Sequence, residues 1–235
     1  MPRMQTGRQL SRFQKLAIEA LQTREAPLEL EASLGYPGAP ESVETGGGET
    51  IRRLLGAYQR NPAWKEWATS HAIKTALQQL FADEKVYLNQ SHHNCLMTKS
   101  PEYSSDTGWH QDIRYWSFEQ RELISVWLAL GKEQPQNGGL WVIPESHRLE
   151  YSTEQFDEQT FFRHNLASNE ALIQRAEPVL LSPGDVLFFD SRLLHRASRN
   201  TTRDVRYSLI FTYHSSSNRP KAGTRSADFD EVLLT

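Results

Sequence analysis

Hydrophobic and polar positions follow a helical period in the first third of the chain. Between residues 9 and 22, apolar side chains recur every three or four positions, which predicts an amphipathic helix. The same period over residues 49–64 and 65–81 predicts two more helices in series, with Asn61 and Pro62 as the break and N-cap between them. Residues 28–33, LELEAS, could form a short strand.

From Val86 onward the pattern changes to short runs of β-forming residues separated by turns. The predicted strands are VYLNQ, HNCLMTK, LISVWLAL, GLWVIP, EPVLL, DVLFFD and YSLIFTYH. The turns QPQNGG and SPGD suit antiparallel hairpins, and no regular ten-residue helices intervene to make parallel crossovers. The pattern therefore predicts a mostly β core.

The chain is interpreted as one domain, residues 1–235. A helical lead-in with a glycine-rich mobile loop, residues 35–50, occupies about 1–85, the β core about 86–216, and a tail 217–235. An insertion of mixed character lies between residues 145 and 177. It lies, like the lead-in and the glycine-rich loop, outside the predicted β segments, and the sequence does not show which of these parts form a lid.

Composition and charge narrow the choice of function. With 38% hydrophobic and 23% charged residues, the chain has the composition of a globular protein. A net charge of −3 disfavours a dedicated nucleic-acid binder, and a small-molecule partner is expected. The single cysteine, Cys95, suits a reducing compartment, and no signal-like or membrane-spanning run is evident. A cytoplasmic protein without membrane partners is the expectation.

Two polar residues in TGWHQDIRYW suggest a metal site. In a strand, His110 and Asp112 would point to one face and Gln111 to the other. A His-x-Asp pair alone is weak evidence, because histidines on strands are more often structural. His195, in FFDSRLLHRASRN, is the natural third ligand. Two histidines and one carboxylate leave three positions open, which suits ferrous iron that binds a co-substrate and oxygen.

Arg206 adds a second element of the site. It lies eleven residues beyond His195, so it could return on the neighbouring antiparallel strand and face the same cavity. Its planar guanidinium could hold a carboxylate through two hydrogen bonds. An exposed strand arginine is the alternative interpretation of this residue alone.

Six segments together resemble the phytanoyl-CoA dioxygenase family of Fe(II)- and 2-oxoglutarate-dependent oxygenases. They are KSP, WHQD, VWLAL, NGGLWVIPESH, PGDVLFFDSRLLHRASRN and RYSLIFTYH, in the order and spacing of that family between Lys99 and His214. The resemblance implies a double-stranded β-helix, a jelly-roll or cupin-like barrel, with flanking N-terminal helices. It also implies hydroxylation of an unactivated C–H bond of a small molecule with O2, releasing succinate and CO2.

The resemblance also implies roles for individual residues. His110, Asp112 and His195 match the iron ligands, and Arg206 matches the arginine that binds the distal carboxylate of 2-oxoglutarate. Lys99, Gln111 and Trp127 fall where the family commonly lines the co-substrate pocket. Ala197 departs from the pattern, since a small hydroxyl residue often stands there. The hydroxyls considered as replacements are those of Ser198, Thr201 and Thr202.

Three other functions remain open on the sequence. One is a cupin-like binding protein that has lost turnover, and another is a nucleic-acid or protein hydroxylase on the same fold. A halogenase is the third, but such enzymes lack the carboxylate ligand that Asp112 supplies here. The sequence identifies neither the substrate, including whether it is linked to coenzyme A, nor the oligomeric state.

Overall fold

The computed structural model describes residues 7–235, so residues 1–6 of the expected lead-in lie outside the described part. The helices are α1 (Gly7–Thr23), α2 (Ala57–Arg60), α3 (Pro62–Ala68), α4 (His71–Phe81) and α5 (Ala167–Ile173). The strands are β1 (Leu28–Leu30), β2 (Ile51–Leu55), β3 (Val86–Lys99), β4 (Thr107–His110), β5 (Ile124–Ala129), β6 (Leu140–Val142), β7 (Glu177–Pro178), β8 (Val186–Asp190), β9 (His195–Ala197), β10 (Arg206–Ser215) and β11 (Val232–Leu233).

The strands form two antiparallel sheets. The large sheet has seven strands in the order β1-β2-β3-β10-β5-β8, with β11 added beside β3. The small sheet has four strands in the order β4-β9-β6-β7. Consecutive strands of the β core mostly belong to different sheets, which is the connectivity of a double-stranded β-helix. The mostly β fold with N-terminal helices is confirmed.

Both faces of the large sheet are buried, and side-chain alternation divides the core in two. Leu209, Phe211 and Tyr213 of β10 belong to the cluster that packs under the helices with Trp64. Ile210 belongs instead to a cluster between the sheets, which also includes Cys95, Trp127, Leu140, Phe189 and Ala197. The inner face of the large sheet therefore looks toward the small sheet, and the site lies between them.

The prediction of a helix over residues 49–64 is wrong for the first half of that segment. Residues Ile51–Leu55 are strand β2, which pairs with β1 on one side and with β3 on the other. Arginine and leucine favour helix, but any such intrinsic preference is small. The hydrogen bonds offered by two flanking strands outweigh it. Because of this pairing, Arg52 and Arg53 lie in the sheet beside the site instead of on a surface helix.

The second predicted helix is divided in the structure. α3 ends at Ala68 and α4 begins at His71, with Thr69 and Ser70 between them. The predicted cap at the start of α3 is confirmed, since the Asn61 side chain accepts a hydrogen bond from the Ala63 backbone N–H at 2.9 Å.

The other predicted elements are found close to their expected places. VYLNQ and HNCLMTK merge into the single strand β3. Four other predicted β segments contain β5, β6, β7 and β8, and β10 extends the predicted YSLIFTYH by one residue at each end. Residues 35–50 form turns and bends, without a regular helix or strand. Residues 217–235 contribute β11 to the large sheet. Within residues 7–235, no helix has the length and apolar character needed to cross a bilayer.

Candidate metal centre and its cavities

Antiparallel pairing of β4 with β9 brings two histidines together. His110 is the last residue of β4 and is the register partner of His195, the first residue of β9. Their ring centroids are 4.2 Å apart. Asp112 does not continue the strand, as the sequence suggested, but opens a short 3-10 helix after the extended Gln111. The extended backbone at Gln111 still returns the Asp112 side chain to the face of His110.

The three side chains converge on one point. His110 Nε2 lies 3.8 Å from Asp112 Oδ1, and His195 Nε2 lies 3.6 Å from the same oxygen. All three residues are buried, and one ligand atom of each lies within 4.8 Å of the others. This spacing fits one ion of the size of Fe²⁺ or Zn²⁺ between them.

Hydrogen bonds to the far atoms orient these three groups. His110 Nδ1 lies 2.8 Å from the carbonyl of Gly108, and His195 Nδ1 lies 2.9 Å from that of Leu193. A carbonyl only accepts, so each ring carries its proton on Nδ1 and directs the Nε2 lone pair inward. Backbone partners of this kind typically orient metal-ligating histidines.

Asp112 is held in a similar way through its other oxygen. Ser125 Oγ donates to Asp112 Oδ2 at 3.3 Å, and His93 Nδ1 lies 3.4 Å from that oxygen. This leaves Oδ1 facing the two histidines. Burial lowers the pKa of His110 far below its usual value and that of His93 to about 4, despite the neighbouring carboxylate. Both rings are therefore neutral at pH 7. For His110, the neutral ring is the form that can bind a metal.

Two connected cavities adjoin the three residues. The outer chamber, of about 270 Å³, has in its walls the charged or aromatic residues Glu29, Tyr36, Arg114, Tyr115, Trp116 and Arg225. The inner chamber extends between the sheets and is lined by Lys99, Trp127, Leu140, Phe189, His195 and Ala197, among others. Six residues line both chambers: Arg52, Arg53, His93, Thr107, His110 and Asp112. The candidate metal centre thus stands at their junction.

Arg206 lies between the sheets, but not on the strand that the sequence suggested. β10 belongs to the large sheet, whereas His195 is in the small sheet, so the two residues lie on different sheets of the barrel. Arg206 Nη1 is 3.1 Å from Oε2 of the buried Glu133. Its Nε and Nη2 are buried and have no hydrogen-bond partner among residues 7–235. The guanidinium therefore has unused donors for a further anion.

Glu133 connects Arg206 with Trp127 and Ser208 through hydrogen bonds. Its Oε1 accepts from Trp127 Nε1 at 2.9 Å and from Ser208 Oγ at 2.5 Å. Lys99 is the register partner of Arg206 on β3, and its Nζ donates to the carbonyl of Ser105. Burial, followed by the positive field of Arg52, lowers the pKa of Lys99 to about 7.

Comparison with known proteins identifies the family. The phytanoyl-CoA dioxygenase (PhyH) family profile matches residues 48–208. The chain belongs to the phytanoyl-CoA dioxygenase family. The matched segment includes all three residues of the candidate metal centre, together with Arg206, Lys99 and Trp127.

A relative and its solved structure show how similar individual proteins are to this chain in sequence and in fold. An ectoine dioxygenase of Sphingopyxis alaskensis is 25% identical over 185 residues, which cover 72% of this chain but 59% of that enzyme. The crystal structure of apo EctD from S. alaskensis superposes with a TM-score of 0.75 at 23% identity, covering 94% of this chain and 74% of that one. EctD has also been solved with 2-oxoglutarate and 5-hydroxyectoine.

A further solved structure has the same fold at lower identity. The epimerase SnoN, in complex with Fe³⁺, α-ketoglutarate and nogalamycin RO, superposes with a TM-score of 0.72 at 17% identity, covering 94% of this chain and 79% of that one. At these identities the superpositions show the double-stranded β-helix.

Not every residue that the family resemblance singled out reaches the cavities. Gln111 donates to the carbonyl of Arg192 and accepts from Arg121 at 3.3 Å, and it lines neither chamber. Arg206 does not line either chamber directly, but its guanidinium lies 5.3 Å from the ring of Trp127, which lines the inner chamber. Ser198, Thr201 and Thr202, considered as replacements for the hydroxyl missing at Ala197, instead bond Pro135, Gln136 and Asn200.

A different hydroxyl stands beside Ala197. Thr107 is the register partner of Ala197 on β4 and lines both chambers. Its Oγ1 accepts from Arg52 Nη2 at 3.1 Å and keeps its own proton to donate. The neighbouring strand therefore supplies a hydroxyl at this place.

The sequence interpretation missed four residues around the site: Arg52, Arg53, Ser125 and Glu133. Arg52 and Arg53 were assigned to a helix, and their paired charges give no other local signal. Ser125 is one of several small polar residues in a buried strand, and Glu133 follows that strand in a loop. Only the tertiary pairing places them beside the candidate metal ligands and Arg206.

Proposed function

We propose that this protein is an Fe(II)- and 2-oxoglutarate-dependent oxygenase that hydroxylates an unactivated C–H bond of a small molecule. His110, Asp112 and His195 hold the iron. The observation that carries the proposal is the inward convergence of His110 Nε2, Asp112 Oδ1 and His195 Nε2, each held from behind by a hydrogen bond. A bound iron of this type supplies oxygen activation coupled to conversion of 2-oxoglutarate to succinate and CO2.

The inner chamber is the proposed 2-oxoglutarate site. Its polar walls carry Lys99, Thr107 and the Trp127 ring, and Arg206 lies 5.3 Å from that ring with two unused buried N–H groups. Lys99 and Arg206 hold the distal carboxylate there, because paired charge-assisted hydrogen bonds suit a carboxylate in a desolvated place. The apolar Leu140, Phe189 and Ala197 exclude water from the rest of the molecule.

Binding of the co-substrate requires local movement. The inner chamber has about 40 Å³ of open space, which is on the scale of one or two water molecules. Lys99 is the residue suited to move, since its ammonium is on a flexible four-carbon chain and, within the described part of the chain, is hydrogen-bonded only to the Ser105 carbonyl. When Lys99 turns toward the incoming carboxylate, it exchanges a neutral acceptor for a charged one.

The other functions are less well supported by the site. Asp112 occupies the place where a halogenase needs a vacancy for halide. The intact ligand set, with its supporting hydrogen bonds, argues against a binding protein that has lost turnover. A nucleic-acid hydroxylase would need a broad basic surface, whereas the net charge of the chain is −3.

Release of succinate tests the proposal. The protein is incubated with ferrous iron, 2-oxoglutarate and O2, with and without pools of small metabolites, and succinate is quantified. Succinate that requires iron and disappears in His195→Ala supports the oxygenase. Full activity with zinc, or a product formed without consumption of O2, would overturn it in favour of Lewis-acid chemistry.

A further inference from the structure

The outer chamber is rich in positive charge. Its walls contain four arginines, Arg52, Arg53, Arg114 and Arg225, against two carboxylates, Glu29 and Asp112. His92 and His93, which also line the chamber, bring no negative charge. Asp112 is the proposed iron ligand, so its charge is offset once a divalent metal binds. The chamber therefore favours an anionic guest.

Adjacent arginines on β2 differ in how far the protein satisfies them. Arg52 donates to Glu29 Oε1 at 2.9 Å and to Thr107 Oγ1 at 3.1 Å, and its Nε lies 3.9 Å from Glu31. Its side chain is 4% exposed. These contacts give Arg52 a structural role in joining β1, β2 and β4.

Arg53 is left with unused donors. Its one ion pair among the described residues joins Nε to Glu29 Oε1 at 3.5 Å, the oxygen that already accepts from Arg52. The Nε is buried without a hydrogen-bond partner, and the side chain makes no hydrogen bond within residues 7–235. With 25% of its side chain exposed, Arg53 presents a planar fork of N–H donors at the junction of the two chambers.

Arg114 reinforces the positive field from the opposite wall. Its Nη1 donates to the carbonyls of Gln159 and Thr160 at 3.3 and 3.2 Å, and its guanidinium lies 4.0 Å from the centre of the Phe161 ring. Within residues 7–235, Arg114 forms no ion pair with a carboxylate, and Asp112 acts on it only at longer range. Its charge is therefore not neutralised by a direct partner.

From this arrangement we infer that the substrate is a small molecule bearing an oxyanion, a carboxylate or a phosphoryl group, which Arg53 binds in the outer chamber. The inference rests on the proposed function and names the substrate class. Arg53 lines the junction together with His110 and Asp112, so an anion bound there brings the adjoining carbon skeleton beside the metal centre. Tyr36, Tyr115 and Trp116 supply apolar walls for that skeleton.

Matched aromatic probes test the charge requirement. Benzoate, phenylphosphonate and the neutral benzamide are titrated by calorimetry into the full chain, first alone and then loaded with Ni²⁺ and saturating 2-oxoglutarate. Both anions should bind at least about tenfold more tightly than benzamide, because only they use the charged fork of Arg53. The tighter of the two anions indicates whether carboxylate or phosphoryl is preferred.

Two substitutions at Arg53 and a control substitution at Arg148 test whether Arg53 causes the tighter binding of the anionic probes. Arg53→Gln should weaken the anions at least about tenfold and leave benzamide within about twofold. Arg53→Lys should lie between, since it keeps the charge but not the fork. Arg148→Gln is the matched control, because Arg148 is an exposed surface residue outside both chambers and the same unit of charge is lost. Circular dichroism and melting confirm folding, and Arg53→Lys serves as the test if Arg53→Gln melts early.

Three results would overturn the inference. They are equal affinity for benzoate and benzamide, an unchanged benzoate affinity in the folded Arg53 variants, and displacement of benzoate by 2-oxoglutarate, which would place the probe in the inner chamber. Separate titration of 2-oxoglutarate distinguishes the two proposals. If 2-oxoglutarate fails to bind while Arg53-dependent anion binding persists, the oxygenase proposal fails and the anion site stands.

Discussion

His110 and His195 are register partners on adjacent antiparallel strands, and their Nδ1 atoms are held by the carbonyls two residues earlier in the chain, Gly108 and Leu193. The same local bond therefore orients both rings, and each Nε2 faces Asp112 Oδ1. Two equivalent strand ends and one turn of 3-10 helix are enough to build the candidate metal centre.

Removal of any one ligand should abolish iron binding without unfolding the barrel. His110→Ala, Asp112→Ala and His195→Ala each delete one of three protein ligands, whereas the hydrogen bonds of the sheets persist. Iron content after anaerobic loading and the far-ultraviolet circular dichroism spectrum measure the two effects. His71→Ala, on an exposed helix start, is the control and should retain iron. A variant of the three with wild-type iron affinity would remove that residue from the ligand set.

Ser125→Ala should weaken iron binding without removing a ligand. Ser125 Oγ bonds Asp112 Oδ2, the oxygen that faces away from the histidines. Loss of such a supporting partner typically costs about ten- to a hundredfold in metal affinity. A competition titration with a chelator of known affinity gives the change. Ser152→Ala, at an exposed turn, provides the comparison, and equal affinities in the two variants would show that Ser125 does not position Asp112.

Arg206 and Glu133 should be strongly coupled in stability. Each is almost fully buried, so Arg206→Met leaves the Glu133 carboxylate without its charged partner. Breaking a buried pair in this way costs roughly 3–5 kcal/mol of the free energy of unfolding. The double variant Glu133→Gln/Arg206→Met should lose less than the sum of the two single changes. Urea unfolding of the four proteins measures the coupling, and strict additivity would contradict the ion pair.

Arg206→Lys is the appropriate variant for the co-substrate, since it keeps a charge opposite Glu133. It should weaken 2-oxoglutarate by roughly tenfold, because an ammonium cannot reproduce the two-pronged bond. Iron affinity should not change. Calorimetric titration of 2-oxoglutarate under anaerobic conditions decides the point. An unaltered affinity would assign the distal carboxylate to Lys99 alone.

Lys99 should make both stability and co-substrate binding depend on pH. Its pKa is lowered to about 7 in the folded chain, chiefly by burial and by Arg52, against about 10.4 when unfolded. The unfolded chain then holds more protons between these values, so this residue makes stability rise with pH across that window. Over the same rise, loss of the ammonium should weaken 2-oxoglutarate. Lys99→Met should flatten both dependences, and a persisting slope would assign them to another group.

Whether a site residue could be predicted from the sequence depends on how far apart in the chain the interacting residues lie. His110 and Asp112 are two residues apart, and His195 lies in a segment with a strong family pattern, so the sequence was sufficient to single out all three as candidates, and the structure brings their ligand atoms within 4.8 Å of one another. The premise of a continuous strand was nevertheless wrong, since Asp112 begins a 3-10 helix. His110 and Asp112 still point to the same face, because the extended backbone at Gln111 preserves the alternation of side chains.

Residues that act through distant pairing were beyond local patterns. Arg53 lies in a segment of helical period, and only hydrogen bonding of β2 to β1 and β3 brings it to the chambers. Glu133 is separated from Arg206 by 73 positions, and nothing around it in the sequence indicates a buried carboxylate. In both cases the tertiary environment outweighs the local preference.

The most direct test of the account is anaerobic titration of the purified protein with ferrous iron and 2-oxoglutarate, followed by visible absorption. We expect one iron and one 2-oxoglutarate bound per chain, with a weak charge-transfer band that requires both and is absent in His195→Ala. Binding of 2-oxoglutarate that ignores iron, or a band that persists unchanged in His195→Ala, would contradict the assignment of His110, Asp112 and His195 as the iron site.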